Sequence, residues 1–439
     1  MIKVNAPANN ILVIGAYGLI GQGVSAKLIL EGYNVTGLGR NVQTAQRVLP
    51  GVPWIKRDMR ALVDDGAWHP ILGGFSTVVN CSGALQDGPD DDLEALHHHA
   101  VAALAAACAA KDIALIQISA VGAGPEASTP FMASKGRGDA AIRAAGGRWH
   151  IFRPGLVLAP NAYGGTTMLR MLAAFPWVQP IAAPQAKIQT VSLDDVATAV
   201  VAATKGQIPD GFEADLVETP VHSLRDIVEQ IRAWLGFRPA LFDVTLPDFC
   251  VAAVSTLADG LSWFGWRSPL RSTALNVLTD GVRGTPVDLG GFGLAPVSSL
   301  DQSLSNMSVG VQDRLFARMA LLAPIILVCL CLFWLTSGIV GIARVREAAD
   351  VLENVGWPTG MAVASVLFWA LVDIAIGIAF AFRKYAYAAC WAAVGVSVFY
   401  LVASTFTVPS LWIDPLGPLV KVVPAIVLAL VARAVLDTR

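Results

Sequence analysis

Short apolar runs that alternate with helix-like patterns make up the first half of the chain. Two of the segments between these runs, 19–31 after a glycine loop and the alanine-rich 93–111, are interpreted as helices. Strands that alternate with helices are typical of a parallel sheet covered by helices on both faces. The pattern therefore predicts a doubly wound α/β domain, with strands at 11–14, 34–38, 54–59, 76–83, 113–120 and 148–155.

Long apolar runs replace the short ones towards the carboxyl end. Residues 319–342 contain no charged residue, and three further runs follow at 359–382, 385–407 and 416–435. About 20 apolar residues suffice for a helix to cross the ~30 Å hydrocarbon core of a bilayer. The pattern predicts an all-α bundle of four transmembrane helices after the α/β domain.

Charged residues are scarce in this chain. They make up 15% of it, against about 25% in an ordinary soluble protein, and hydrophobic residues make up 55%. This balance argues against a disordered chain, a disulfide scaffold and a nucleic-acid partner. Basic residues at the ends of the apolar runs predict, by the positive-inside rule, that the α/β domain and the carboxyl terminus are cytoplasmic. These residues are Arg314, Arg318, Arg383, Lys384, Arg433 and Arg439.

The amino terminus and the cysteines favour the same compartment. Residues 1–10 are polar and the apolar run after them is too short for a signal peptide, so we expect the α/β domain to stay in the cytoplasm. The six cysteines are scattered, as expected for buried thiols in a reducing compartment. His97, His98 and His99 would point apart on a regular helix, so we expect a solvated helix face and no metal site there.

A glycine loop directly follows the first predicted strand. Gly15 permits a tight turn, Gly18 lets backbone approach a pyrophosphate, and Gly21 lets the next helix pack on the strand. The free N–H groups at the start of that helix attract phosphate. We therefore predict a dinucleotide-binding loop formed by Gly15, Tyr17, Gly18, Leu19, Ile20 and Gly21.

The residue after the second predicted strand indicates which nicotinamide cofactor binds. A site for NAD(H) carries Asp or Glu there to hold the ribose 2′-hydroxyl, whereas this chain has Arg40. A guanidinium can bind a 2′-phosphate through two hydrogen bonds. Arg40 therefore favours NADP(H) over NAD(H), unless it is a solvated surface residue.

With these features, residues 8–235 resemble the extended or atypical short-chain dehydrogenases/reductases, which include NAD-dependent epimerase/dehydratase-like proteins. The motifs that carry the resemblance are the glycine loop, Asp58-Met59, 81–84, Ser119, 153–155 and 191–197. The resemblance implies a Rossmann fold with an adenine site at Asp58 and Met59. It also implies cofactor contacts from Ser82, Gly83, Ala84, Lys135, Arg153 and Pro154.

The same family catalyses with a serine and a Tyr-x-x-x-Lys pair, and here the tyrosine is missing. Ser119 and Lys135 match the family's catalytic residues, but Phe131 occupies the tyrosine position. Phenylalanine has no exchangeable proton, and proton transfer by a side chain contributes about 10²–10⁴-fold to a rate. Three hypotheses follow. Tyr163 or water supplies the proton, hydride goes to a quinone- or flavin-like acceptor that needs no proton from such a side chain, or the domain binds cofactor without turnover.

Residues 236–312 are interpreted as a linker that contains a candidate interfacial segment. Part of it, 247–271, combines Phe249, Trp263, Phe264 and Trp266 with basic residues. Such a mixture suits the boundary between lipid headgroups and hydrocarbon. An ordinary buried helix and turn is the alternative.

Residues 313–437 resemble the DoxX-like family of small four-helix membrane proteins, on the motifs 334–338, Asp373 and 411–421. Some members of this family are associated with quinone-linked oxidation. The resemblance therefore implies a quinone or another lipid-soluble substrate. A carboxylate inside a span is a functional candidate by default. For Asp373 we consider Trp412, Asp414 and Lys421 as partners, or a simple hydrogen bond between helices.

Together these patterns predict a membrane-anchored, NADP(H)-binding oxidoreductase of the short-chain type in a bacterial inner membrane. Its expected partners are a small lipid-soluble or quinone-like substrate and membrane lipid. The alternative is a non-catalytic NAD(P)-binding subunit or redox sensor, whose partners would be the other proteins of a membrane complex.

Overall fold

A computed structural model describes residues 9–88, 91–266, 268–415 and 417–436. Some of the positions included in the predicted domains, segments and basic residues lie outside the described residues. They are positions 8, 267, 416, 437 and 439. The chain divides into two compact units, one of residues 1–259 with 268–314 and the other of residues 260–267 with 315–439.

The first unit is built on a seven-stranded parallel sheet. The described part of the chain contains the strands β1 Asn10–Ile14, β2 Asn34–Gly39, β3 Trp54–Lys56, β4 Thr77–Asn80, β5 Ala114–Ile118, β6 Trp149–Pro154, β7 Leu156–Leu158, β8 Val178–Ile181, β9 Lys187–Ile188, β10 Thr190–Ser192, β11 Phe212–Leu216, β12 His222–Ser223 and β13 Phe242–Thr245. The sheet has the order β3-β2-β1-β4-β5-β6-β11. This order confirms the predicted doubly wound fold, and its switch point between β1 and β4 is where such sheets bind ligands.

The strands differ from the predicted ones mainly at their ends. β3 and β4 are shorter than predicted because the residues after Lys56 and Asn80 turn away as loops at the carboxyl edge of the sheet. The edge strand β11 was not predicted. It pairs with β6 from Phe212 opposite His150 to Leu216 opposite Pro154, but its two acidic residues weaken its apolar pattern.

Helices cover both faces of this sheet. The helices α1 and α7 pack on one face, and α3, α4 and α5 pack on the other. The helices up to residue 310 in the described part of the chain are α1 Leu19–Leu30, α2 Val42–Val48, α3 Asp65–Trp68, α4 Ala100–Ala110, α5 Pro130–Ala145, α6 Gly165–Ala173, α7 Leu193–Thr204, α8 Leu224–Trp234, α9 Asp248–Ser262, α10 Ser272–Asp280 and α11 Leu300–Ser305. Neighbouring residues of a strand face opposite sides. Ile11 therefore packs in one core with Val24 and Val200, and Leu12 in the other with Trp68.

The second unit is helical. Its helices are α12 Val311–Ala343, which begins in the first unit, α13 Val345–Glu353, α14 Thr359–Ala381, α15 Arg383–Thr407 and α16 Pro418–Leu436. Within the described residues, all of these but α13 are long and apolar enough to cross a membrane, which confirms the prediction of four such helices. The backbones of α12 and α14 approach closely at Gly338, where an added Cβ would lie 2.4 Å from the Ala370 carbonyl oxygen. Small residues at such contacts let membrane helices pack tightly.

Candidate functional site

The glycine loop turns from β1 into α1 with no room for a side chain at Gly15 or Gly21. Gly15 has φ +71°, and a Cβ on it would lie 3.0 Å from the backbone nitrogen of Ser82. A Cβ on Gly21 would lie 2.3 Å from the Gly15 carbonyl oxygen. Gly18 is the N-cap of α1 and offers no side-chain cap. The first N–H groups of the helix are therefore left for an anion, as a pyrophosphate-binding loop requires.

The other predicted loop residues surround this turn. Tyr17, Leu19 and Ile20 are half-buried. The Tyr17 ring packs against Gly39 so tightly that a Cβ there would lie 2.3 Å from the ring. It also tilts against Trp54, with ring centroids 5.9 Å apart. The loop is thus held against the carboxyl end of β2 and the Trp54 ring of β3, near where the adenosine half of a dinucleotide is expected.

Arg40, predicted to select the cofactor, lies at the end of β2 and has an acidic partner. Its guanidinium donates to the Asp91 carboxylate at 3.0 Å, and 39% of its side chain is exposed. A 2′-phosphate on a bound cofactor would compete with this carboxylate for the same guanidinium.

Asp58 and Met59, the predicted adenine site, begin a short helical turn after β3. The Asp58 carboxylate accepts hydrogen bonds from the Arg60 backbone N–H and guanidinium. The Arg60 guanidinium holds the pKa of Asp58 below its usual value. Met59 is buried beneath Ser82, whose hydroxyl donates to Asn80 at 2.5 Å.

Ser119 and Lys135, the predicted catalytic pair, are both buried and bonded to the protein. The Ser119 hydroxyl donates to Asp139 at 2.8 Å, and the Lys135 ammonium donates to the Ile118 carbonyl at 3.1 Å. Burial raises the pKa of Asp139, against the opposing effects of its Ser119 hydrogen bond and the Arg153 charge. Burial lowers the pKa of Lys135, and the charge of Asp139 opposes that shift.

Arg153 and Pro154, predicted as cofactor contacts, close the end of β6. The Arg153 guanidinium donates to Asp139 at 3.2 Å and to Glu213 at 2.5 Å. The Pro154 carbonyl accepts the Val121 N–H at 3.2 Å. Arg153 is therefore a partner of the buried carboxylate that also binds Ser119. Sequence reasoning missed Asp139, because nothing in the residues around it marks a site.

Phe131 lies beside Lys135, as its place in the motif predicts. The Lys135 ammonium stands 5.8 Å from the Phe131 ring centroid, within the range of a cation–π contact. The site thus keeps the ring of the expected tyrosine and lacks its hydroxyl. Tyr163 precedes α6, and 47% of it is exposed.

His97 corrects the expectation that the three histidines form a solvated face. It is 2% exposed and meets the Phe131 ring edge-on, with centroids 5.6 Å apart. Its Nε2 accepts the Ala84 N–H at 3.1 Å, so Nδ1 carries the proton and donates to Ser134 at 3.0 Å. His97 thereby joins the Gly83-Ala84 loop to the helix that carries Phe131.

The cause is a π-helical turn, Ala95–His99, before α4. The expectation assumed regular α-helical spacing, which such a turn breaks, and π turns are frequent at functional sites. The turn also brings possible metal ligands of Glu94, His98 and His99 within 4.8 Å of one another, whereas we expected neighbouring histidines to point apart. Glu94 already binds Arg137 and His98, so this group needs no ion.

Asp373 on α14 lies against two more of the candidate membrane-spanning helices, α12 and α15. Its carboxylate accepts hydrogen bonds from Ser337 on α12 at 2.7 Å and from Tyr400 on α15 at 2.8 Å. Trp369, one turn earlier on α14, packs edge-on against Tyr400 and stacks on Phe399. Among the described residues the partners of Asp373 are these two hydroxyls, not the expected Trp412, Asp414 or Lys421. The interhelical hydrogen bond was the other interpretation.

Comparison with known proteins agrees with both halves of this description. Residues 15–206 match a family model described as NAD(P)H-binding, and residues 331–430 match the DoxX-like family. The chain therefore combines an NAD(P)-binding Rossmann-type domain with a DoxX-like domain, which confirms both resemblances. No curated protein matches the chain.

Solved structures similar to the first domain include epimerases and a dehydratase. The crystal structure of gox2253 is 16% identical with a TM-score of 0.50, covering 67% of this chain and 96% of that one. The dTDP-glucose 4,6-dehydratase of Bacillus anthracis in complex with NAD is 15% identical, with a TM-score of 0.49 and coverages of 68% and 95%. The UDP-glucose 4-epimerase of Thermus thermophilus complexed with NAD is 18% identical, with a TM-score of 0.44 and coverages of 63% and 99%. At such identities the likeness concerns the fold alone.

We predict that His97 makes the protein less stable in mild acid. Burial, reinforced by the Lys135 charge, holds its pKa well below the usual 6.5. In the unfolded chain the His97 imidazole therefore binds a proton near pH 6.5, whereas in the folded chain it stays neutral. The free energy of unfolding falls as the pH drops through that value. Between pH 7.5 and 5.5 the loss is about 1.4 kcal/mol.

The measurement is denaturant or thermal unfolding of the detergent-purified protein at both pH values. His97→Gln keeps an acceptor for the Ala84 N–H without the titrating ring, so its loss between the two pH values should be smaller. His99→Gln, at an exposed position of the same turn, should behave like the wild type. An equal loss in His97→Gln and the wild type would contradict the prediction.

We also predict that Asp373 stabilises the second unit. Ser337→Ala and Tyr400→Phe each remove one hydrogen bond and should each cost about 0.6 kcal/mol, the average for such bonds between membrane helices. Asp373→Leu should cost more, and Asp373→Asn, which keeps an acceptor, less. Thr336→Ala is the control, since that hydroxyl bonds within its own helix to the Leu332 carbonyl. Unchanged thermal unfolding of Asp373→Leu in detergent would refute a helix-joining role.

Proposed function

We propose that the protein is an NADP(H)-dependent oxidoreductase of the bacterial inner membrane that passes hydride to a lipid-soluble, quinone-like acceptor. The observation that carries the proposal is the combination of an intact glycine cradle and Lys135 with Phe131 in place of the family's tyrosine. When bound, the cofactor supplies the hydride, and the residues of this chain hold and orient it.

The cofactor residues follow from the geometry of the loop and strand ends. Gly15, Gly18 and Gly21 bind the pyrophosphate at the start of α1, because these three positions present only backbone at that turn. Arg40 binds the 2′-phosphate at the end of β2. Lys135 directs N–H donors to ribose hydroxyls, as the family resemblance implies.

The choice of acceptor follows from the protons near Phe131. Phe131 has no proton to give, the Ser119 hydroxyl donates to Asp139, and His97 directs its ring proton to Ser134. Reduction of an ordinary ketone would lose the ~10²–10⁴-fold that a positioned acid contributes. A quinone takes up hydride and draws its remaining proton from water to become a quinol. A quinone-like acceptor therefore suits this site better than a ketone.

The membrane location is supported by the four apolar helices and by the charges beside them. Arg314 and Arg318 lie in the first turns of α12, Arg383 and Lys384 begin α15, and Arg433 lies in the last turn of α16. By the positive-inside rule these ends are cytoplasmic. This topology keeps the nucleotide-binding domain in the cytoplasm.

A non-catalytic NAD(P)-binding subunit or redox sensor of a membrane complex is the second candidate. Two observations favour it: Phe131 lacks the hydroxyl of the family's tyrosine, and the Ser119 hydroxyl already donates its hydrogen bond to Asp139. Both candidates require cofactor binding, so turnover separates them.

The test is quinone-dependent oxidation of NADPH by the full-length protein in detergent, followed by the absorbance of the reduced nicotinamide. We expect oxidation by the wild type and a marked loss in Lys135→Met. Phe131→Tyr should keep quinone reduction and gain carbonyl reduction, by up to about 10²–10⁴-fold. Phe131→Leu, which has no hydroxyl either, is its control and should gain none.

Two results would contradict the proposal in different ways. Cofactor binding by the wild type without oxidation, combined with carbonyl reduction in Phe131→Tyr, would leave the sensor as the function. Absence of any NADPH or NADH binding would overturn both candidates.

The Arg40–Asp91 pair yields a separate prediction about cofactor choice. Asp91→Asn removes a carboxylate that competes with a 2′-phosphate, so the Kd for NADPH should fall roughly two- to fivefold, as expected for a partly exposed ion pair. The Kd for NADH should not change. Asp210→Asn, which breaks the more exposed pair with Arg148, is the control for both titrations. Equal effects on the two cofactors would show that Arg40 does not contact the 2′ position.

A further inference from the structure

Helix α9 carries its apolar side chains on the outside. Phe249 is 74% exposed and Leu257 is 65% exposed, whereas Ser255 and Ala258 are buried on the opposite side. In a helix that faces water the arrangement is the reverse, with an apolar stripe towards the core and polar residues outward. An exposed apolar face of this kind marks an interaction surface.

The charges of α9 do not interrupt this face. Its charged residues are Asp248, in the first turn, and Asp259. Asp259 points inward, where its carboxylate accepts hydrogen bonds from the Gln86 amide at 3.2 Å and the Ser272 N–H at 3.3 Å. The exposed residues after Asp248 are therefore uncharged: Phe249, Ala252, Ala253, Val254, Thr256, Leu257, Gly260 and Leu261.

The end of α9 continues into a segment that is bound to the transmembrane helices. The Trp266 indole N–H donates to the Ala381 carbonyl at 2.7 Å, and the Arg383 backbone N–H donates to the Phe264 carbonyl at 2.9 Å. The Phe264 ring packs on Phe382 with centroids 5.1 Å apart. These acceptors and donors lie where α14 ends and α15 begins, so the segment sits where two spans leave the hydrocarbon.

The residues at this junction suit lipid headgroups. Trp263 is 80% exposed. The Arg383 guanidinium lies 5.5 Å from the Trp266 ring, and Lys384 follows it. Tryptophan is enriched at membrane–water interfaces, and basic residues there attract anionic lipids. The apolar face of α9 is thus continuous in sequence with an interfacial segment.

From this continuity we propose that α9 and Trp263–Trp266 form an interfacial lipid anchor. Its partner is the bilayer surface, with the exposed face of α9 in the headgroup and acyl boundary, to a depth of about 5–10 Å. The proposal rests on the membrane location in the proposed function and is independent of the redox reaction. Lipid is favoured over a protein partner because the face leads directly into residues fixed at the ends of two spans.

The test measures the surroundings of single spin labels on the full-length protein in vesicles of phosphatidylethanolamine and phosphatidylglycerol. Labels are placed at Phe249→Cys and Leu257→Cys, in a background where the native Cys250 and Cys329 are serine. Collision with oxygen reports lipid, and collision with a water-soluble nickel chelate reports water. Glu229→Cys, exposed on the amphipathic helix α8, is the water control. Leu332→Cys, 58% exposed on α12, is the lipid control.

We expect the oxygen-to-nickel collision ratio at 249 and 257 to exceed that at 229 several times and to approach that at 332. A ratio at 257 equal to that at 229 would overturn the anchor while leaving the membrane location intact. Spin–spin broadening at 257 would also overturn it, in favour of a second copy of the chain. A water-like ratio at 332 would instead contradict the membrane location itself, and the anchor with it.

Discussion

The nucleotide site depends on close packing of backbone atoms against one another at the turn from β1 into α1. A Cβ on Gly21 would stand 2.3 Å from the Gly15 carbonyl, and one on Gly15 would meet the backbone of Ser82. The same glycines thus set the distance of α1 from the sheet and the position of the loop after β4. A larger residue would move both elements, and the helix N-terminus would no longer face a phosphate.

Much of this architecture could be predicted from local sequence pattern. The glycine loop, the strand ends that carry Arg40 and Asp58, and the four apolar helices each depend on residues close together in the chain. Alternation and run length report such features directly. The predicted strands were too long, because the chain leaves the sheet before the predicted strand ends. One example is β4, which ends at Asn80 although the predicted strand continues to residue 83.

The features that the sequence did not reveal are those made by distant residues or irregular backbone. Asp373 meets Ser337 and Tyr400, which lie 36 and 27 residues away, and no local pattern selects them over Trp412 or Lys421. His97 reaches the site through a π-helical turn that departs from regular spacing. The aromatic residues of 247–271 were noticeable in composition, but only the fold shows that α9 turns Ser255 inward and Leu257 outward.

Lys135 indicates what kind of site remains when the tyrosine is absent. Burial costs an ammonium ion several kcal/mol unless hydrogen bonds and charges compensate. Here the Ile118 carbonyl accepts one of its three N–H donors, and the Asp139 charge lies nearby. In the described structure its other donors have no protein acceptor, and a Cβ on Gly83, in the loop after β4, would lie 3.8 Å from Nζ. Without the tyrosine, Lys135 has no phenol whose pKa it could lower. Its N–H donors are still needed to bind the ribose hydroxyls of the cofactor. The presence of Lys135 beside Phe131 therefore fits cofactor binding and hydride transfer without acid catalysis.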